Sequence, residues 1–336
     1  SVAIPGHESS LDKTLPYNLP VKVPLQSDQP FQRLTKVTVS LKGLGKVHVA
    51  TNENTKSVVH YYDKEVYIDI DNIISEDKGN NIAVGVGSYE TPFRFEIPRN
   101  VPPTLAYKRS EPMYDAKCTI TYYVRIKFNR SGFMNFTKSF KKEITVIPCI
   151  IPRLPTIPII HGGQKKLSQL FTSKSRIIKV KANILNSVLK AGDKITLIYE
   201  VVNDTNLDIK GVETKLIEIY KFYMEKLEVM KNESDIPETH SKIGAIQSGK
   251  TREILVEINV PSDRETAEFS KIFSRDYYVA IAVHLPFPHK NYVLEIPIQI
   301  GNNFVENALE ATSDNFEDVD PPSYWEVMNE YTNDKM

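Results

Sequence analysis

Cysteine is nearly absent: Cys118 and Cys149 are the only two in 336 residues, and no CxxC pair occurs. A secreted chain of this size ordinarily carries an even disulfide framework, so a reducing compartment is expected. An excess of charge of one sign is absent as well, with Lys and Arg totalling 42 and Asp and Glu totalling 42. Nucleic acid is held by neutralising phosphates across a basic surface, so no nucleic-acid partner is expected. Long hydrophobic runs are also missing. The most apolar stretch, 147–160, contains Pro148, Pro152, Arg153, Pro155 and Pro158, and it is too short and too broken to span a bilayer as a helix.

Arrangements that carry chemistry are equally scarce. The seven histidines are scattered, and His284 and His289 share a proline-containing loop with no acid or cysteine at metal-ligand spacing. Residues Asp314 to Asp320 lack the central glycine and closing glutamate of a calcium loop. No Lys-Ser/Thr follows Gly85-Val86-Gly87, and no GxSxG occurs. No catalytic residue, metal or cofactor is therefore expected. Four sequons, at Asn129, Asn135, Asn203 and Asn232, are close to the number chance supplies in an Asn-rich chain.

What is abundant is alternation. Val37, Val39 and Leu41 alternate with Lys36, Thr38, Ser40 and Lys42, which gives a strand one apolar and one wet face. The same period of two runs through Val66-Ile68-Ile70, Ile254-Val256-Ile258, Val279-Ile281-Val283 and Leu294-Ile296-Ile298-Ile300. Strands buried on one face only belong to antiparallel sandwiches, and no long helical period separates them. The chain reads as all-β.

The two halves echo each other in order. Leu34–Gly43 is matched by Ile209–Glu218, Phe93–Pro98 by Leu255–Pro261, Tyr122–Ile126 by Tyr277–Ile281, and Lys142–Val146 by Tyr292–Ile296. Two tandem copies of one antiparallel β-sandwich follow. The division expected is an irregular segment over 1–33, a first domain over 34–148 and a proline-rich linker over 149–175. A second domain then covers 176–301, and a tail covers 302–336.

The linker and the start of the second domain are basic. Lys165, Lys166, Lys174, Arg176 and Lys179 form a candidate contact for anionic lipid or a phosphorylated peptide, and a peripheral membrane contact is one expectation. The tail is the opposite: from Asn302 to Tyr324 it carries six acids and no base, a composition that does not bury enough apolar surface to fold alone. That acidic stretch leads into Pro321-Pro322-Ser323-Tyr324, a PPxY sequence. Its two prolines preform the polyproline II ridge that an aromatic-lined WW groove accepts, and Tyr324 supplies a ring and hydroxyl for the adjoining pocket.

Taken together, Val37–Gly43, Tyr89–Pro98, Ile120–Ile126, Lys141–Ile147, Ala191–Ile195, Ile296–Gly301 and Pro321–Val327 resemble the alpha-arrestins, the arrestin domain-containing proteins. The resemblance covers most of the chain, from about Leu34 to Tyr324. It implies two arrestin-like, immunoglobulin-like sandwiches in a non-enzymatic cytoplasmic adaptor, peripheral at the plasma membrane or endosomes. Such an adaptor binds cytoplasmic tails of membrane receptors or transporters. Through Pro321, Pro322 and Tyr324 it would recruit WW-domain HECT-type ubiquitin ligases for ubiquitination and endocytosis. The retromer subunit of the same fold offers the alternative of a coat or sorting scaffold. Residues 1–31 match nothing in the family's opening strand, and the chain has one PPxY where many members have several.

Overall fold

The computed structural model describes residues 17–18, 21–25, 34–54, 57–76, 87–91, 94–130, 137–147, 149–167 and 176–304. The described residues are almost entirely β-structure, with a single 3-10 turn at Pro237–Thr239 and no α-helix. No helix among them is long and apolar enough to cross a membrane. The chain separates into two compact units. The first takes Ser1–Cys149 together with Tyr220–Lys231 and Ala267–Ser274, and the second takes Ile150–Ile219, Asn232–Thr266 and Arg275–Met336.

The strands of the first unit are β1 (Tyr17–Asn18), β2 (Val21–Leu25), β3 (Leu34–Asn54), β4 (Ser57–Glu76), β5 (Gly87–Thr91), β6 (Arg94–Phe95), β7 (Leu105–Glu111), β8 (Tyr114–Arg130) and β9 (Thr137–Ile144). The main sheet runs β4-β3-β8-β7, and β9 pairs with the far half of β8. Part of the 1–33 segment, expected to be irregular, is paired: β2 lies antiparallel to β5, and β1 to β6. Its Val21-Val23-Leu25 alternation was hidden by Pro24, which stands within β2 opposite Ser88 and has no N–H to give to a ladder.

Alternation works as the sequence implies. Val39, Leu41, Val47 and Val49 of β3 and Ala116, Cys118, Ile120 and Tyr122 of β8 are buried on one face. Each large side chain so buried contributes about 1.5–3 kcal/mol of transfer free energy. Burial pushes the Cys118 thiol up to about 12. The same core takes in Tyr220, Phe222 and Met224 and, from the other late segment, Ile272 and Phe273. The Tyr107 ring lies tilted against Tyr220 at 4.4 Å, Phe222 at 5.4 Å and Phe273 at 6.5 Å between centroids, which ties these two late segments to the first unit.

The remaining strands, which lie in the second unit or run from it into the segments assigned to the first, are β10 (Cys149–Ile150), β11 (Ile159–Lys166), β12 (Ile177–Ile184), β13 (Val188–Leu189), β14 (Lys194–Asp204), β15 (Gly211–Met224), β16 (Leu227–Asp235), β17 (Ser241–Ile243), β18 (Thr251–Asn259), β19 (Phe273–His284), β20 (Tyr292–Ile300) and β21 (Asn303–Phe304). One sheet runs β11-β12-β14-β18 and the other β13-β20-β19-β15-β16, with β17 on β15. Only the short β13–β20 pair is parallel among the pairings with a described register. Between the sheets lie Ile178, Val180, Leu197, Val201, Val279, Ile281, Ile296 and Ile298. Tyr199 Oη and Thr214 Oγ1 share a buried hydrogen bond of 2.8 Å from one sheet to the other.

The 149–175 stretch, expected to be a connector, is not all connector. Ile159–Lys166 pairs antiparallel with β12 over its full length. Ile159, His161, Gly163 and Lys165 form the face opposite the buried Ile184, Ala182, Val180 and Ile178. Prolines crowd only the part before residue 159.

Pairing order also explains the internal echo. β3, β8 and β9 are neighbours in the first unit, and β15, β19 and β20 hold the matching order in the second. The fourth echo is displaced. Ile144 stands opposite Tyr122 and Ile298 opposite Tyr277, whereas the sequence match sets Ile144 against Leu294, four residues earlier. An even slip keeps every side chain on its face, so alternation alone does not detect it.

Candidate interaction surfaces

The PPxY residues Pro321, Pro322 and Tyr324 lie outside the described residues, as does Lys174. Of the other basic positions, Lys166 and Lys179 share the outer face at one end of the β11–β12 hairpin, in the pairs Lys166↔Ile177 and Gln164↔Lys179. Lys165 points the other way. Its Nζ donates to the carbonyls of Lys290 at 2.7 Å and Asn291 at 3.3 Å, which ties it to the loop before β20. The Arg176 carbonyl accepts from Leu167 N at 2.9 Å and closes the hairpin. Of the described members, Lys166 and Lys179 thus share one face and Lys165 stands on the other.

A different basic surface is assembled by strand pairing on the outer face of the first unit. Lys64 of β4 stands opposite Lys46 of β3, and Lys46 opposite Thr119 of β8. One row further along, Tyr62 faces His48, His48 faces Lys117, and Lys117 faces Lys108 of β7. All four lysines are exposed. His48 stacks on Tyr62 with ring centroids 4.3 Å apart and on His60 at 5.4 Å, and the two imidazoles approach to 3.1 Å. Along β4 the same face carries Val58, His60, Tyr62, Lys64 and Val66, with Val58 53%, Tyr62 70% and Val66 61% exposed. The alternate residues Asp63, Glu65 and Tyr67 turn inward. Glu65 accepts from Lys271 N at 2.7 Å, and Tyr67 Oη and Ser270 Oγ are 2.7 Å apart. That inner row fixes β4 and therefore the outer one.

Nearby, Lys42 is balanced. It contacts Asp69 and Asp71 together, the latter at 2.7 Å. Hydrogen bonds from Lys42 and Ser40 hold the Asp71 carboxyl below its ordinary range. In the second unit Glu213 is the hub of another cluster: Lys242 Nζ lies 3.2 Å away, and His240 Nδ1 and His284 Nε2 each lie 3.5 Å away. Asp235 lies 3.0 Å from His240 Nε2 and 3.5 Å from Lys215. Among the described residues no group of three or more His, Cys, Asp or Glu is placed to hold a metal ion.

Asn203, one of the sequons, is fully buried. Its Nδ2 donates to the carbonyls of Leu207, Ile246 and Gln247 at 2.8, 3.1 and 3.1 Å, and its Oδ1 accepts from Thr205 Oγ1 at 2.6 Å. The two residues that complete the sequon pattern are therefore a loop brace.

Two tandem β-sandwiches built on antiparallel sheets define the class of protein. Residues 22–151 match the arrestin (or S-antigen) N-terminal domain, and residues 174–303 match the arrestin (or S-antigen) C-terminal domain. The chain belongs to the arrestin-domain family. No curated protein matches it.

Proposed function

We propose that this arrestin-domain chain is an alpha-arrestin-type adaptor, non-enzymatic, that joins cytoplasmic regions of membrane receptors or transporters to WW-domain HECT-type ubiquitin ligases. The observation that carries the reading is positional. The C-terminal arrestin domain closes at residue 303, and Pro321-Pro322-Ser323-Tyr324 follows it across an acidic stretch with no base. A polyproline II ligand is bound without a large ordering cost because proline has already fixed its backbone. A single such motif binds weakly, so ligase recruitment in the cell draws on additional contacts or avidity.

Co-purification of HECT-type ligases with the full chain, lost on Tyr324→Ala, supports this reading. Co-purification instead with vesicle-coat subunits, unchanged on deleting 302–336, replaces it with a coat or sorting scaffold.

A further inference from the structure

We infer that the outer face of the β4-β3-β8-β7 sheet docks on an anionic bilayer, with Lys46, Lys64, Lys108 and Lys117 as the cationic contacts and Tyr62 and Val66 as the interfacial ones. The four lysines come from four strands and lie in two adjacent rows of one face. Neighbouring strands are about 4.8 Å apart, so the charges spread over about 14 Å of sheet. None of the four makes an ion pair among the described residues, in contrast to Lys42 beside them, which two aspartates hold. The acid on this face nearest the lysines is Asp115, which accepts from Ser110 Oγ at 2.6 Å.

The chemistry of the face selects the occupant. The four exposed cations of these two rows are all lysines, point charges on flexible stems rather than forks that read a single phosphate in two places. The arginine on this face, Arg125, is half-buried opposite Ser40, beside the Asp71 that holds Lys42. The side chains stand on an open sheet and are exposed, which suits many laterally mobile headgroups better than one peptide phosphate. The edge strand adds Tyr62 and Val66 in alternation with Lys64. An amphipathic ring and short apolar groups beside cations are the composition that settles at a membrane–water boundary. The basic segment singled out by the sequence is a poorer match, since Lys165 is bound to two carbonyls. This inference does not depend on ligase recruitment, and Tyr324→Ala leaves it untouched.

The test is sedimentation of the full chain with vesicles of phosphatidylcholine, alone or with about a third phosphatidylserine, at low and high salt. The chain is expected to bind only the anionic vesicles and to release as salt screens the charges. Each Lys→Gln substitution at the four positions weakens partitioning about fivefold. The combined Lys46→Gln, Lys64→Gln, Lys108→Gln, Lys117→Gln variant, with an unchanged melting temperature, loses it. The same four changed to Arg retain binding, which separates loss of charge from loss of fold. Tyr62→Ser weakens binding severalfold at low salt.

Three outcomes overturn the proposal. One is a wild-type chain that ignores phosphatidylserine. Another is loss of binding in Lys166→Gln, Lys179→Gln instead of the fourfold variant. The third is saturable binding of a soluble phosphoserine peptide by the wild type, abolished in the fourfold variant, without vesicle binding.

Discussion

Gly43 stands directly opposite Tyr122 where β3 pairs with β8, and the tyrosine ring occupies the space beside the glycine. A Cβ at position 43 would lie 2.5 Å from Tyr122 Cε1. The ring is not free to yield, because its hydroxyl donates to the Pro102 carbonyl at 2.7 Å in the buried core. Gly43→Ala is therefore expected to destabilise the chain by about 1–3 kcal/mol, the usual cost of overpacking. Tyr122→Phe keeps the packing and loses the hydrogen bond, for about 1 kcal/mol. Urea unfolding of the two variants checks both. A Gly43→Ala chain as stable as the wild type would show that the ring can move.

Asn203 makes the second prediction. Its amide holds three backbone carbonyls in a fully buried site, and Asn203→Ala leaves those carbonyls without it. The expected loss is about 2–4 kcal/mol, from the removed hydrogen bonds and the unsatisfied groups left behind. Asn203→Asp is expected to be worse, since a carboxylate would face three carbonyl oxygens. Expression in a glycosylating host should leave Asn203 bare in folded protein, which peptide mapping reads directly.

The third concerns pH. Burial alone would push the Glu213 carboxyl up, but the hydrogen bond from Lys242 and the charges of Lys215, Lys242 and His240 carry it below the ordinary 4.5. His284 also faces it, at 3.5 Å. Because the folded value is the lower one, this stabilisation is present above the unfolded value and is lost as pH falls through the folded value. The stability gap between wild type and Glu213→Gln is thus widest near neutrality and closes below pH 4.5. A gap that stays constant from pH 7 to pH 3 would contradict the role given to its charge.

Much of this molecule was legible in its sequence. Val37, Val39 and Leu41 announced a one-sided strand, and four ordered echoes announced a duplicated sandwich. What was not legible depends on pairing. Tyr220–Lys231 and Ala267–Ser274 read as pieces of the second domain, yet their aromatic residues bury in the first core. The lysines at 46, 64, 108 and 117 lie in four separate stretches of sequence and meet only because β4, β3, β8 and β7 align in one register. The reverse happened at Lys165, conspicuous in sequence and tied to two loop carbonyls. Charge runs report neighbours along the chain, whereas a sheet makes neighbours across it.

The adaptor reading is tested most directly by titrating WW domains from HECT-type ligases into the full chain and its Tyr324→Ala variant by calorimetry. The account predicts micromolar binding to at least one WW domain by the wild type, and none by the variant. Equal binding by both chains, or no binding by any WW domain, would contradict it.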